Sequence, residues 1–175
     1  MIGFWQVALL LSLKVVGLHK LWIGRMFPAF EPDTVLIANG LAGMGFALPS
    51  AIAAKLVHPD RGIVAVSGDG GFMMNAQELE TAVRLGTALV NVIWEDGGFG
   101  SITWKQERRF GRHFGTEFGN PDFVRFAESF GIPAWRCEMA SDFAKRLEEA
   151  LGLGVPSLIV LPIDYSADVA LEEAG

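Results

Sequence analysis

Cysteine is nearly absent: Cys137 stands alone in 175 residues. A lone thiol excludes an internal disulfide and any multi-cysteine zinc site, and it fits a reducing, cytoplasmic setting. Histidine is scarce as well, and His19, His58 and His113 lack the short spacings of zinc ligands. Charged residues make up only 19% of the chain, with a net charge of −6. An acidic chain with scattered Lys and Arg is a poor binder of phosphate backbones, so nucleic acid is disfavoured as a partner. No apolar run approaches the ~20 residues of a membrane helix. The apolar opening, residues 2–13, is interrupted by Lys14, and Met1-Ile2-Gly3 carries no basic residue of the kind a signal peptide needs. That opening reads as a buried strand or helix, or as an irregular start. Residues 1–16 are therefore set apart from residues 17–175, and a membrane role is disfavoured. No repeat, low-complexity tract or interdomain linker interrupts the remainder.

What is present is a chain rich enough for a substantial core: 51% hydrophobic residues and a mean hydropathy of +0.35. Gly is abundant, at 21 residues, against roughly 7% in an average protein. Without a collagen-like period, that excess points to tight turns and close backbone approach. Residues 34–38, 63–67, 88–94, 134–137 and 156–161 read as short apolar strands. Residues 47–57 read as a helix with Pro49 tolerated in its first turn. Residues 76–85 read as a second helix, with Leu79, Ala82 and Val83 on one face and Glu80 paired to Arg84 across one turn. Asn120 and Pro121 suggest the start of a third helix that stops at Gly131, and Ser141 the cap of a fourth that runs to Leu151. Strands that are near-continuous apolar runs, alternating with helices, predict an α/β fold of three layers. A mostly parallel sheet would carry helices on both faces.

In such sheets ligands bind beyond the carboxyl ends of the strands. Two strand ends carry a carboxylate beside glycines: Gly68-Asp69-Gly70-Gly71, and Asp96-Gly97-Gly98, 27 residues later. The helix between them returns the chain to the same edge, so Asp69 and Asp96 can converge. Two carboxylates meeting in a partly buried site repel unless a cation lies between them. Hard oxygen ligands suit Mg²⁺, with a ligand's phosphates filling its remaining positions. Glycine amides at the start of the next helix offer an anion site. Taken singly, each Asp-Gly is explained as a turn residue; the pair on two strand ends favours a Mg²⁺–diphosphate site. A dinucleotide fingerprint starting at Gly68 fails because Met occupies position 73, and no Walker A motif is present.

The order Gly68-Asp69-Gly70, then Asp96 after 27 residues, resembles the thiamine-diphosphate motif that begins GDG and closes near an Asn pair; here Glu95-Asp96 stands where many members have Asn-Asn. The blocks GDGGFMMNAQELETAVRLGT, WEDGGFG, FGNPDFVRFAESFGIPA and LPIDYS resemble the C-terminal cofactor-binding domain of acetolactate synthase large subunits. The resemblance implies the thiamine-diphosphate-binding fold. Asp69 and Asp96 would bind Mg²⁺ through side chains and Gly98 through its carbonyl. Gly68, Gly70, Gly71 and Phe99 would border the cofactor, with amides of Gly70 and Gly71 toward the diphosphate. The block from Gly40 to Gly45 resembles the segment that holds the cofactor bent, with Met44 between its rings and the Ala42 carbonyl accepting the pyrimidine amino group. Gly17-Leu18-His19 resembles a Gly-x-His segment near the diphosphate. Trp104 and Gln106 would line the substrate pocket.

The resemblance also implies a carboligase acting on 2-oxo acids, with pyruvate decarboxylation and condensation. Such enzymes hold the cofactor between two domains, and the other domain supplies an activating glutamate. The length of the sequence leads to the expectation that these 175 residues hold only the one domain. The expectation is a half-site that needs a pyrimidine-binding domain from another chain or segment, in a homo- or hetero-oligomer. Two alternatives stay open: the short subunit of a two-chain 2-oxo acid decarboxylase of the sulfopyruvate type, and a non-catalytic binding domain of the same fold. Trp104 also reads as a packing residue, Cys137 as a small buried hydrophobe, and the Lys105–Arg109 run as a solvated face.

Overall fold

The computed structural model describes residues 7–12, 18–41 and 43–165. Its elements run in the order β1 (Val7–Ser12), α1 (Leu18–Met26), β2 (Val35–Ile37), α2 (Ala47–Val57), β3 (Gly62–Gly68), α3 (Asp69–Met73), α4 (Glu78–Arg84), β4 (Leu89–Glu95), α5 (Gly100–Phe110), α6 (Phe123–Glu128), β5 (Ala134–Arg136), α7 (Ala140–Gly152) and β6 (Ser157–Pro162). The strands form one six-stranded sheet in the order β2-β1-β3-β4-β6-β5. Every pairing is parallel. Strand β1, from the apolar opening of the chain, lies between β2 and β3.

The central strands are apolar at most positions because both faces of the sheet are covered; Ser67, Asn91 and Ser157 are the buried polar exceptions. On one face Ile63 and Ala65 of β3, Leu89 and Ile93 of β4, and Leu158 and Val160 of β6 pack against Ala51 and Ile52 of α2, Leu79 of α4 and Phe123 of α6. On the other, Val64, Val66, Val90, Val92 and Ile159 pack against Ile23 of α1 and Ala150 of α7. Alternate residues of one strand thus feed two separate cores, the pattern that period-2 side-chain geometry imposes on a doubly covered sheet. Cys137 is buried in the second core as a free thiol.

Strand order reverses twice, β2 and β3 flanking β1 and the chain later leaving β4 for the far edge before β6 fills the gap. Reversals open a crevice at the carboxyl ends of the strands, where helices depart to opposite sides. Strands β3 and β4 are direct neighbours, with Gly68 opposite Trp94. Asp69 and Asp96 therefore leave adjacent strand tips.

Several local expectations are corrected. Asn120 caps no helix: Asp122 does, its Oδ1 accepting the amides of Val124 and Arg125 at 3.1 Å each. A carboxylate two residues nearer the first turn reaches its free amides, and Asn120 is used elsewhere. Ser141 lies inside α7, whose N-cap position is Met139. Val83 is 43% exposed while Leu79 and Ala82 are buried, so the apolar face of α4 is narrower than expected. The Glu80–Arg84 pair forms, at 2.9 Å. The polar run after the second acidic loop is a helix, α5, stopped by Gly111 at φ +66°. No helix among the described residues is long and apolar enough to cross a membrane.

Candidate functional site

Strand β3 ends at Gly68, and the chain turns at once into the short helix α3 that begins at Asp69. This turn needs small residues. A β-carbon at Gly68 would come 3.3 Å from Cε1 of His19, and one at Gly70 would come 2.7 Å from Cε1 of Phe99. Asp69 itself is 1% exposed. A carboxylate so deeply buried must be satisfied by donors. Its Oδ1 accepts the Gly70 amide at 2.7 Å. Its Oδ2 accepts the amides of Asp96 at 3.2 Å and Gly97 at 2.8 Å, and the Asn120 Nδ2 at 2.7 Å. One side chain at the start of α3 thus ties down the loop that follows β4.

Asp96 comes to the same point. Its carboxyl lies within hydrogen-bonding reach of Asp69, and its pKa is pushed up to about 6, first by burial and then by the charge of Asp69. The Gly98 amide works against this rise by donating to the Asp96 carboxylate. The pair therefore holds more negative charge than its surroundings stabilise, which is the electrostatic condition for a cation. Among the described residues no three His, Cys, Asp or Glu side chains gather into a metal-binding group. A cation here would have two carboxylates and take its other ligands from backbone, water or a bound anion.

A pocket opens beside the pair. Its floor is Gly68, Asp69, Gly70 and Gly71, and its walls include His19, Met44, Trp94, Asp96, Gly98 and Phe99. Two buried polar atoms on that wall, Nε2 of His19 and Oγ of Ser67, have no protein hydrogen-bond partner. Orphaned polar atoms on residues that line a pocket favour a polar ligand. Burial lowers the His19 pKa to about 4, against the opposing pull of Asp69. The ring is neutral near pH 7 and meets a ligand as a hydrogen-bonding group rather than a cation. The ring of His19 stands edge-on to Trp94, with centroids 6.2 Å apart.

Met44 enters from the loop before α2. Gly45 has φ +84°, and its carbonyl accepts Nδ2 of Asn75 at 3.0 Å. A side chain at Gly45 would meet that amide at 2.7 Å. Asn75, just past α3, thus latches the Met44 loop to the acidic turn; nothing in the spacing of the sequence singles it out. The segment after α5 does similar work on the other side. Phe99 N donates to the Thr116 carbonyl at 2.7 Å and Phe118 N to the Gly97 carbonyl at 3.1 Å. The strap from Thr116 to Phe118 holds the second acidic loop as a short antiparallel bridge.

Of the residues singled out from the sequence, the pocket brings together His19, Met44, Gly68, Asp69, Gly70, Gly71, Asp96, Gly98 and Phe99. Gly40 is exposed and outside it, and Ala42 and Gly17 lie outside the described residues. Helix α5 meets the pocket with Gly100 and Ile102 rather than with Trp104 and Gln106. Trp104 is turned about 200° from Ile102 on a helix of 3.6 residues per turn, and the Arg108 guanidinium lies 5.1 Å over its ring. Gln106 lies about half a turn beyond Trp104, and its side-chain carbonyl accepts the Phe114 amide at 2.8 Å.

Comparison with known proteins agrees with this geometry. Residues 15–161 match the family described as thiamine pyrophosphate enzyme, C-terminal TPP binding domain. The chain is 41% identical over 156 residues to the acetolactate synthase of Bacillus subtilis (strain 168), a match covering 89% of this chain and 27% of that protein. It is 40% identical over 150 residues to the catabolic acetolactate synthase of Raoultella terrigena, covering 86% and 27%. It is 36% identical over 162 residues to a probable acetolactate synthase large subunit of Methanococcus aeolicus, covering 91% and 27%. The chain spans about a quarter of the length of these relatives. A GDG turn at the end of one parallel strand, a second acidic loop on its neighbour and a family match across nearly all the described sheet lead to one assignment: this chain belongs to the thiamine pyrophosphate enzymes, as an acetolactate synthase-like C-terminal TPP-binding domain.

Proposed function

We propose that this chain holds Mg²⁺ and thiamine diphosphate for a carboligase that decarboxylates pyruvate and condenses the product with a second 2-oxo acid. A pyrimidine-binding domain, from another chain or another segment, would complete the site. The observation that carries the reading is the meeting of Asp69 and Asp96 from adjacent strand tips beside a pocket with two orphaned polar atoms. The names of the three relatives given above, acetolactate synthases, suggest the reaction class.

The residues fit the cofactor in kind. Oδ2 of Asp69 is saturated by three donors, so Oδ1 is the oxygen with a lone pair left for a cation. Asp96 would supply the second charge, and the Gly98 carbonyl a neutral oxygen. Nε2 of His19 and Oγ of Ser67 would hydrogen-bond the phosphates, as would the Gly71 amide in the first turn of α3, where no intrahelical acceptor exists. Met44 has the unbranched, apolar shape that fills an irregular gap beside a ring system. Trp94, Phe99 and Ile102 keep water from the pocket wall. When bound, thiamine diphosphate supplies the nucleophilic carbon and electron sink for loss of CO₂ from a 2-oxo acid. The protein supplies charge at the diphosphate end and a fixed posture at the other.

Calorimetric titration with thiamine diphosphate tests this, with and without Mg²⁺ and with and without a candidate pyrimidine-domain partner. Binding should require Mg²⁺ and vanish in Asp69→Ala. Metal-independent binding, or an unaffected variant, overturns the proposal. Product analysis with pyruvate then separates a carboligase, which forms acetolactate, from a simple decarboxylase, which forms acetaldehyde.

A further inference from the structure

Asn120 lies 51 residues from Asp69 in the chain, yet its Nδ2 donates to Oδ2 of that carboxylate at 2.7 Å. Its own Oδ1 is buried without a partner. The amide cannot be turned round, since that would place oxygen against oxygen at the same distance. An unpartnered buried carbonyl is costly, so this orientation is kept for the sake of the donor. The side chain is also free of the role its sequence suggests, because Asp122 caps α6. Its backbone follows the Thr116–Phe118 strap, which is pinned to Gly97 and Phe99. Asn120 is therefore delivered to Asp69 by the same segment that clamps the second acidic loop.

We infer that Asn120 is a positioning residue for the cation. With the Asp96 and Gly97 amides it saturates Oδ2, fixes the plane of the Asp69 carboxylate and leaves Oδ1, which accepts only the Gly70 amide, as the oxygen for the cation. This rests on the proposed function, since it assigns a role toward the same cation. Partners of this kind, which orient a ligating group without touching the metal, change metal affinity about 10- to 100-fold when removed.

The test uses the full-length protein in its native assembly, with Asn120→Ala, Asn120→Leu, which keeps the bulk without the donor, and Asp69→Asn as a control. The readouts are the Mg²⁺ concentration for half-maximal thiamine diphosphate binding and thiamine diphosphate affinity at saturating Mg²⁺. Amide hydrogen exchange at Gly97 without metal is the third. Both Asn120 variants should need about 10- to 100-fold more Mg²⁺, retain thiamine diphosphate affinity within about twofold once Mg²⁺ saturates, and exchange the Gly97 amide faster while Val92 is unchanged. A Mg²⁺ requirement within about twofold of the parent overturns the inference, as does a loss of affinity that saturating Mg²⁺ does not restore. If those results accompany an Asp69→Asn protein that no longer binds, only the role of Asn120 falls. If Asp69→Asn binds normally, the cation site itself falls and the inference with it.

Discussion

The ring of Phe99 closes on the backbone of Gly70 so tightly that a β-carbon there would lie 2.7 Å from its Cε1. Phe118 closes from the strap, with Cζ 2.9 Å from the same point. The two rings pack on each other, centroids 4.8 Å apart. The acidic turn is thus held from outside by aromatic rings as well as from within by the Asp69 carboxylate.

Gly70→Ala tests this packing. The added methyl has no space unless one ring moves, and overpacking of this kind costs about 1–3 kcal/mol. Urea denaturation should show that loss, and Phe118→Leu in the same chain should recover part of it by vacating the space on the strap side. An unshifted midpoint in the single variant would show that the rings give way freely.

The sheet was legible because its residues obey one rule at a time. Ile63 through Val66 are apolar without interruption, and Leu89 through Ile93 are apolar but for Asn91, a pattern that only a doubly covered strand tolerates. The acidic pair was legible too, since Gly68-Asp69-Gly70 and Asp96-Gly97-Gly98 each sit where a strand must stop. What escaped notice depends on contacts distant in sequence. Asn75 and Asn120 look like ordinary turn residues, and only tertiary structure sets one against Gly45 and the other against Asp69. Helices α3 and α5 escaped for a different reason. Gly70 and Gly71 lower helix propensity in the first, and the second buries little more than Ser101, so neither carries an apolar stripe.

Asn75 supports the opposite end of the pocket from Asn120, so its loss should have the opposite signature. Asn75→Ala removes the 3.0 Å bond to the Gly45 carbonyl and frees the loop that carries Met44. One hydrogen bond is worth about 1 kcal/mol, or about a fivefold rise in Kd. That rise should appear in thiamine diphosphate affinity at saturating Mg²⁺, with the Mg²⁺ requirement unchanged. Titration of both ligands in the Asn75 and Asn120 variants side by side would show whether the two effects separate.

Asn91 is a polar residue in the wrong company. It is fully buried in β4, opposite Ala65 on one neighbour and Leu158 on the other. Neither its Oδ1 nor its Nδ2 has a hydrogen-bond partner. Burying such an amide costs about 1–3 kcal/mol. Asn91→Leu, with the same branched outline though bulkier, and among apolar neighbours, should raise stability by about 1–2 kcal/mol, seen as a higher thermal midpoint with thiamine diphosphate binding unaltered. A destabilised variant would mean that the amide has partners in solution.

The clamp on the second acidic loop should respond to pH through His113. Its Nδ1 lies 2.8 Å from Glu107 on α5 and its Nε2 3.3 Å from Glu117 on the strap. The hydrogen bond to Glu107 and then that to Glu117 raise its pKa above the usual 6.5. The group that gains is the protonated form, and it gains in the folded state. Its contribution is therefore complete below the unfolded pKa and fades as pH rises through the higher folded one. Denaturation midpoints of the parent should fall across that window relative to His113→Gln, whose midpoint lacks this step. An NMR titration of the ring should place its pKa above that of an unstructured histidine. A ring that titrates at the ordinary value, or parallel pH profiles for parent and variant, would show that the bridge from α5 to the strap contributes nothing to holding the acidic loop.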